Sequence, residues 1–380
     1  MHIRRRYCLQ IIIVLLISSA AAPLFRAAEP LPDKLSDEAF WKIISDFSEE
    51  GGYFRFENFL SNELGFQYVI PALKELTKPG GVYMGVGPEQ NFTYIVAVEP
   101  KMAFITDIRR QNMLELMMYK AFFELSPDRA DFMSRLFARK RPPRLNAEST
   151  PEELFASFHD VQPDPLLFRK NRDDVKNALV KQHKFLLSDE DLANIEYVYR
   201  VFVEAGLEAG PDLDYQVGGG GFGGGGSPTY MELMTVNDGQ GKNRSFLASE
   251  ENYRVIRDMQ MKNLIVPLVG DFGGPKALRA VGQYLKEHDA RVTAFYLSNV
   301  EQYLFQENAW RRFYANVATL PMDSSSQFIR SINGGTIRGQ FRGGFGMRFQ
   351  SLLSPIASAV QAFQEGRIRY YDDIVNMSHP

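Results

Sequence analysis

The stretch GGVYMGVGPEQNFTYIVAVEPKMAFITD, residues 80–107, decides the fold. Val82 to Val86 is short, apolar and bounded by glycines, the pattern of a strand buried in a parallel sheet. Gly85-Val86-Gly87 turns the chain into Pro88-Glu89-Gln90-Asn91, and a helical stretch runs from Phe92 towards Val98. Met102 to Thr106 reads as the next strand, closed by Asp107. Strand, glycine turn, helix, strand, acid is the first half of a dinucleotide-type βαβ unit. Asp107 stands twenty residues beyond Gly87, the spacing at which an acid accepts hydrogen bonds from ribose hydroxyls.

The same order returns downstream. Leu264 to Val269 is a buried strand running into Gly270-Asp271-Phe272-Gly273-Gly274-Pro275. A helix over Lys276 to Glu287, a strand over Val292 to Leu297 and a helix over Val300 to Tyr314 follow. Ligands of open α/β sheets bind beyond the carboxyl ends of the strands. Those ends carry Gly85 and Gly87, Asp107, Asp271 and Asn299. Turn formation and helix capping account equally well for Asp271 and Asn299. Past Gly334, Thr336 to Phe341 suggests a closing strand or hairpin, and Gln350 to Phe363 a final helix.

Upstream, Ser36 can cap a helix whose Phe40, Ile43, Ile44 and Phe47 share a face, ended by Gly51-Gly52. A second helix is expected over Phe66 to Leu76. Between about residues 111 and 210 the sequence is mainly helical, with starts at Ser126-Pro127, at the capping box Thr150-Pro151-Glu152-Glu153 and at Ser188-Asp189-Glu190-Asp191. Gly218 to Gly226, with eight glycines around Phe222, cannot hold a regular element and reads as a lid or an inert linker.

Residues 1–28 stand apart. Arg4, Arg5 and Arg6 precede an apolar run from Cys8 to Ala22 and then small residues, the layout of a secretory signal peptide. Export is therefore expected, with an uncleaved anchor as the alternative; both place the body outside the cytoplasm. Cys8 is the single cysteine and lies in this leader, so the mature chain is expected to have no disulfide, thiol nucleophile or Cys-based zinc site. Charge is nearly balanced, 43 basic against 46 acidic residues, which gives no electrostatic reason to expect nucleic acid. No membrane contact is expected beyond the leader. His159, His183 and His288 lack metal-ligand spacing, so no metal is expected, and no GxSxG elbow supports hydrolase chemistry.

The segments quoted above, together with RSFLASEENYRVIRDMQ (residues 244–260) and VTAFYLSNVEQYLF (residues 292–305), resemble an uncharacterised bacterial family built on the S-adenosylmethionine-dependent methyltransferase fold. The resemblance implies an α/β chain over residues 29–380. Its sheet would be doubly wound and mostly parallel, of methyltransferase-like type, with a large helical insertion and an N-terminal helical extension. S-adenosylmethionine is the implied cofactor, the Gly85–Gly87 loop facing its methionine part, Asp107 its ribose and Asp271-Phe272 its adenine. Glu89 and Asn91 join this cofactor set. Two positions depart from the pattern: Tyr83 stands where an acid precedes the first glycine, and Glu89 replaces the third glycine.

Methyl transfer needs in-line positioning of a nucleophile, sometimes with a base. Asn299, Glu301 and Tyr303 are the candidate catalytic residues, Glu301 and Glu89 the candidate bases. A small-molecule ligand is expected. Two functions compete: a methyltransferase of unknown substrate, and an exported non-catalytic binding or scaffold protein retaining the fold. The second draws on the leader, because an exported protein sits where S-adenosylmethionine is not made. An NAD-type enzyme fits less well, since Gln90 stands where the full GxGxxG motif has glycine.

Overall fold

Val82–Gly85 forms β1, the strand on which the sheet is centred. It pairs in parallel with β2 (Met102–Asp107) on one side and with β4 (Val292–Ser298) on the other. β3 (Ile265–Val269) lies parallel beyond β2, and β5 (Gln327–Asn333) parallel beyond β4. β6 (Phe349–Pro355) closes the far edge antiparallel to β5, giving the order β3-β2-β1-β4-β5-β6. Every residue of β1, β2 and β3 is buried, as expected of a parallel sheet covered on both faces. The computed structural model describes residues 29–208, 228–333 and 349–379. Residues 1–28, expected to be a leader, the glycine run 218–226 and the stretch Thr336 to Phe341 lie outside the described residues.

Each crossover follows from local sequence. α1 (Asp37–Phe47) starts where Ser36 Oγ accepts the Ala39 N–H at 3.1 Å, and it packs against β3. The stretch expected as one helix over Phe66 to Leu76 is a 3₁₀ turn, Phe66–Val69, running into α2 (Ile70–Leu76), with Pro71 in the first turn. α3 (Gln90–Val98) joins β1 to β2 and ends at Glu99 in the left-handed conformation. β3 carries Pro267 at its centre; as the outermost strand it leaves the missing N–H on the unpaired side.

Between β2 and β3 stand α4 (Arg110–Leu125), α5 (Arg129–Leu136), α6 (Pro151–His159), α7 (Pro165–Lys176), α8 (Asp189–Ala205), α9 (Tyr230–Thr235) and α10 (Glu250–Met261). Aromatic packing welds them to the sheet: Phe92 of α3 meets Tyr119 and Phe123 of α4, and Phe123 stacks on Phe132 of α5 at 4.7 Å. Fully burying one such ring is worth about 1.5–3 kcal/mol. α5 starts two residues later than Ser126-Pro127 suggests, because Asp128 takes the Asp131 N–H at 2.8 Å and is the better cap.

The last third departs further. Helix Val300 to Tyr314 is split into α12 (Val300–Gln306) and α13 (Trp310–Val317) by Asn308, whose φ is +56°; α11 (Ala277–Glu287) precedes them. The final helix expected over Gln350 to Phe363 is half strand. Its first part is β6, paired residue by residue with β5, and only α14 (Ile356–Gln364) is helical, followed by α15 (Tyr371–Val375). Tertiary pairing overrides local pattern here, since Leu352 and Leu353 are buried between β5 and the helices only as strand. Among the described residues no helix is long and apolar enough to cross a membrane.

Candidate functional site

Strand order reverses between β1 and β4, and a cleft opens there beyond the carboxyl ends of the strands, as it does in doubly wound sheets. Its walls are the β1 loop (Val86, Gly87, Pro88, Gln90), the ends of β2 (Thr106, Asp107, Ile108) and β3 (Gly270, Asp271, Phe272), and the end of β4 with α12 (Ser298, Asn299, Tyr303). The segment Tyr53 to Glu63 crosses over as a partial roof. The enclosed volume is ≈ 170 Å³. One water needs about 10–15 Å³ on this measure, so the space suits an organic ligand rather than a single ion.

The β1 loop is built for close approach. Gly87 has φ +75° and nothing within 4 Å of where a Cβ would stand, so the backbone requires glycine while the space above stays open. At Gly85 a Cβ would fall 1.9 Å from Asn91 Oδ1. Asn91 is the loop's internal brace: its Nδ2 donates to the carbonyls of Val86 (3.0 Å), Gly87 (3.1 Å) and Pro88 (2.7 Å). Tyr83 donates its hydroxyl to Asn91 Oδ1 at 2.8 Å. Both side chains are fully buried, so Asn91 shapes the loop instead of lining the cleft.

Asp107 lines the cleft at the end of β2. Its Oδ1 accepts the Arg109 N–H at 2.8 Å and lies 3.5 Å from Arg109 Nε, while no donor among the described residues reaches Oδ2. That oxygen is available to a hydroxyl. Asp271 forms a turn, its Oδ1 accepting the Gly273 N–H at 2.8 Å. The Phe272 ring lines the cleft, stacks on Phe313 at 5.7 Å and meets Phe295 edge-on at 5.1 Å, which fixes its orientation.

The end of β4 carries strain. Ser298 is a non-glycine residue at φ +49°, and its Oγ donates to Glu63 Oε1 at 2.6 Å. Tyr296 donates to the same oxygen at 2.8 Å, and Gln90 Nε2 to Oε2 at 3.2 Å. Glu63 therefore sits in the cleft wall, 2 % exposed, hydrogen-bonded by neutral donors and, among the described residues, without an ion pair to a cationic side chain. Burial pushes its carboxyl above the ordinary glutamate value against the opposing pull of those hydrogen bonds. Asn299 stands at the N-cap of α12 without a side-chain cap bond, and Tyr303 meets Phe54 edge-on at 5.1 Å.

Besides Gly85 and Asn91, which shape the loop without lining the cleft, two further sequence candidates, Glu301 and Glu89, lie away from it. Glu301 is 2 % exposed and is held by the guanidinium of Arg330 and the hydroxyl of Tyr314, so its carboxylate is committed inside the protein. Glu89 is fully buried, with Oε1 3.5 Å from the Ser61 N–H. Glu63 and the roof segment went unread in the sequence, because residues 53–63 follow no helical or strand period. The available signal was an acid among mixed aromatic and polar residues soon after Gly51-Gly52. Among the described residues no three His, Cys, Asp or Glu side chains gather as metal ligands.

Residues 58–373 match a family described as a domain of unknown function (DUF7790), and the chain belongs to it. The match takes in every strand and Glu63, while Tyr53 and Phe54 of the roof precede it. No curated protein matches the chain.

Proposed function

We propose that this DUF7790 protein binds S-adenosylmethionine in the cleft at the β1–β4 switch point and acts as a methyltransferase. One observation carries the reading: a single cleft joins a glycine loop open to close approach, a carboxylate oxygen on Asp107 without a donor among the described residues, and a buried carboxylate, Glu63, with no counter-charge among the described residues. A buried carboxylate is costly without a positive partner, and a sulfonium with its neighbouring ammonium provides one. In this assignment Glu63 takes the place of the acid missing at Tyr83. The cofactor, when bound, supplies an electrophilic methyl group. The chain's part is to hold Gly87 open, to orient the ribose through Asp107 and to keep water out beneath the roof. Asn299 and Tyr303 are placed to position an acceptor.

Glu301 does not serve as base in this proposal, because Arg330 and Tyr314 occupy its carboxylate. That favours a second reading, ligand binding without catalysis in an exported protein that keeps the fold. The discriminating experiment compares S-adenosylmethionine with its neutral thioether product, S-adenosylhomocysteine, on the wild type and on Glu63→Gln. The proposal expects the wild type to prefer the sulfonium and the variant to lose about tenfold of that preference, roughly 1.4 kcal/mol. Equal loss for both ligands, or none for either, counts against Glu63 as the cofactor's counter-charge. Methylation of any acceptor by the mature protein, absent in Asp107→Ala, excludes the non-catalytic reading.

A further inference from the structure

The outer part of the cleft has a chemistry of its own. Asn299, Tyr303 and Glu307 follow one another at intervals of four, from the N-cap of α12 to its C-cap, and all three line the cleft. That spacing puts them on one face of the helix. The roof adds Tyr53 and Phe54 to the same lining, and Phe54 meets the Tyr303 ring edge-on at 5.1 Å, joining roof to helix. Tyr53 is 86 % exposed, and Phe54 and Tyr303 are half-buried. One exposed ring on a surface is ordinary, but three rings lining one cleft make an aromatic wall.

Charge in the cleft has one sign. Its lining holds four acids, Glu63, Asp107, Asp271 and Glu307, and among the described residues no lysine, arginine or histidine. Arg109, 3.5 Å from Asp107, and Arg312, whose Nε donates to the Gly273 carbonyl at 3.0 Å, touch the wall without lining the cleft. Burial sorts the acids by depth. Glu63 and Asp107 are 2 % and 7 % exposed, whereas Glu307 is exposed. Glu307 also stands at the C-cap of α12, where the helix carbonyls are themselves a negative pole, so this end of the cleft favours a cation twice over. A phosphate or carboxylate would meet no counter-charge here. An ammonium would meet a carboxylate and the faces of aromatic rings.

We infer that the outer part of the cleft binds an organic amine as its ammonium, with Glu307 as counter-charge, Tyr53, Phe54 and Tyr303 as the wall for its apolar part, and Asn299 as a hydrogen-bonding partner. The inference deepens the reading above and rests on it only in making the amine the methyl acceptor. In that role the amine gives one proton to water, its nitrogen bonds the methyl carbon, and the electron pair of the broken C–S bond stays on sulfur. The same lining turns away phosphorylated and carboxylated acceptors.

The test compares three probes of similar shape: 2-phenylethylamine, a cation near neutral pH, the neutral 2-phenylethanol and the anion phenylacetate. Each is titrated calorimetrically into the full-length protein, with and without millimolar S-adenosylhomocysteine. The amine should bind about tenfold more tightly than the alcohol, the combined effect of one exposed ion pair and one cation–π contact, and phenylacetate should bind more weakly than either. Added salt should narrow the preference. Glu307→Gln, a change at an exposed position, should reduce it about threefold and leave the alcohol's affinity unchanged. The inference is overturned if no probe binds, if the alcohol or phenylacetate binds as tightly as the amine, or if Glu307→Gln leaves the preference intact. The two readings fail separately. An amine preference without heat from S-adenosylhomocysteine keeps the amine site and removes the cofactor; cofactor binding without an amine preference does the reverse.

Discussion

Replacing Glu301 by glutamine separates a structural role from a catalytic one. Glu301 and Arg330 are 2 % and 1 % exposed, and the guanidinium is held by the carboxylate together with the hydroxyls of Ser354 and Ser378. Glutamine leaves the Arg330 charge buried with those hydroxyls and an amide oxygen. Removing one member of a buried pair costs about 3–5 kcal/mol, and the remaining dipoles place this site near the lower end, about 3 kcal/mol. Unfolding entropy of about 2.1 cal/mol/K per residue over roughly 350 residues converts that loss to about 4 °C of melting temperature. Thermal melts by circular dichroism measure it. Glu301→Leu combined with Arg330→Met should recover most of the stability, since an apolar pair needs no counter-charge. Ligand response in the cleft should survive Glu301→Gln, because Glu301 does not line it. A melting temperature within a degree of wild type, together with a lost ligand response, would refute this reasoning and return Glu301 to the site.

Gly87→Ala should lower stability by about 1–2 kcal/mol, the cost of φ +75° for a residue with a Cβ, and should lower ligand affinity as well; melts with and without ligand separate the two effects. His183 Nε2 lies 2.7 Å from Glu124 and its Nδ1 2.9 Å from Asp37, and these partners, Glu124 foremost, raise its pKa above the ordinary histidine value. The stabilisation is thus fully present below about pH 6.5 and is lost as pH rises through the raised folded value. Denaturation between pH 6 and pH 9 should show that decline, and His183→Gln should flatten it; an unchanged pH slope in the variant would assign the decline to other groups.

The parallel half of the sheet was legible because its strands are short apolar runs with glycines or acids at their ends. Val82–Gly85, Met102–Asp107, Ile265–Val269 and Val292–Ser298 all fall where the residue pattern puts them, within a residue or two. The edge was not. β6 reads as helix since Leu352, Leu353, Ile356 and Val360 also fit a helical spacing, and only pairing with β5 selects the strand. Cleft residues at strand ends, Gly87, Asp107, Asp271, Phe272 and Asn299, were found by the rule that ligands bind beyond those ends. Glu63 comes from an irregular segment that becomes part of the site only when the chain folds over the sheet. Glu301 shows the converse, since a polar residue in the first turn of α12 can face the cleft or face Arg330, and spacing along one helix does not choose.

The most direct test of the central claim is calorimetric titration of the protein with S-adenosylmethionine, on the wild type and on Asp107→Ala. Asp107 lines the cleft and its Oδ2 has no donor among the described residues, so the account predicts saturable binding of one cofactor per chain and its loss in the variant. A bidentate ribose contact to a carboxylate is worth about 1.5–3 kcal/mol per hydrogen bond, enough to weaken binding by tenfold or more. No binding to the wild type at millimolar cofactor, or binding that Asp107→Ala leaves unchanged, would contradict it.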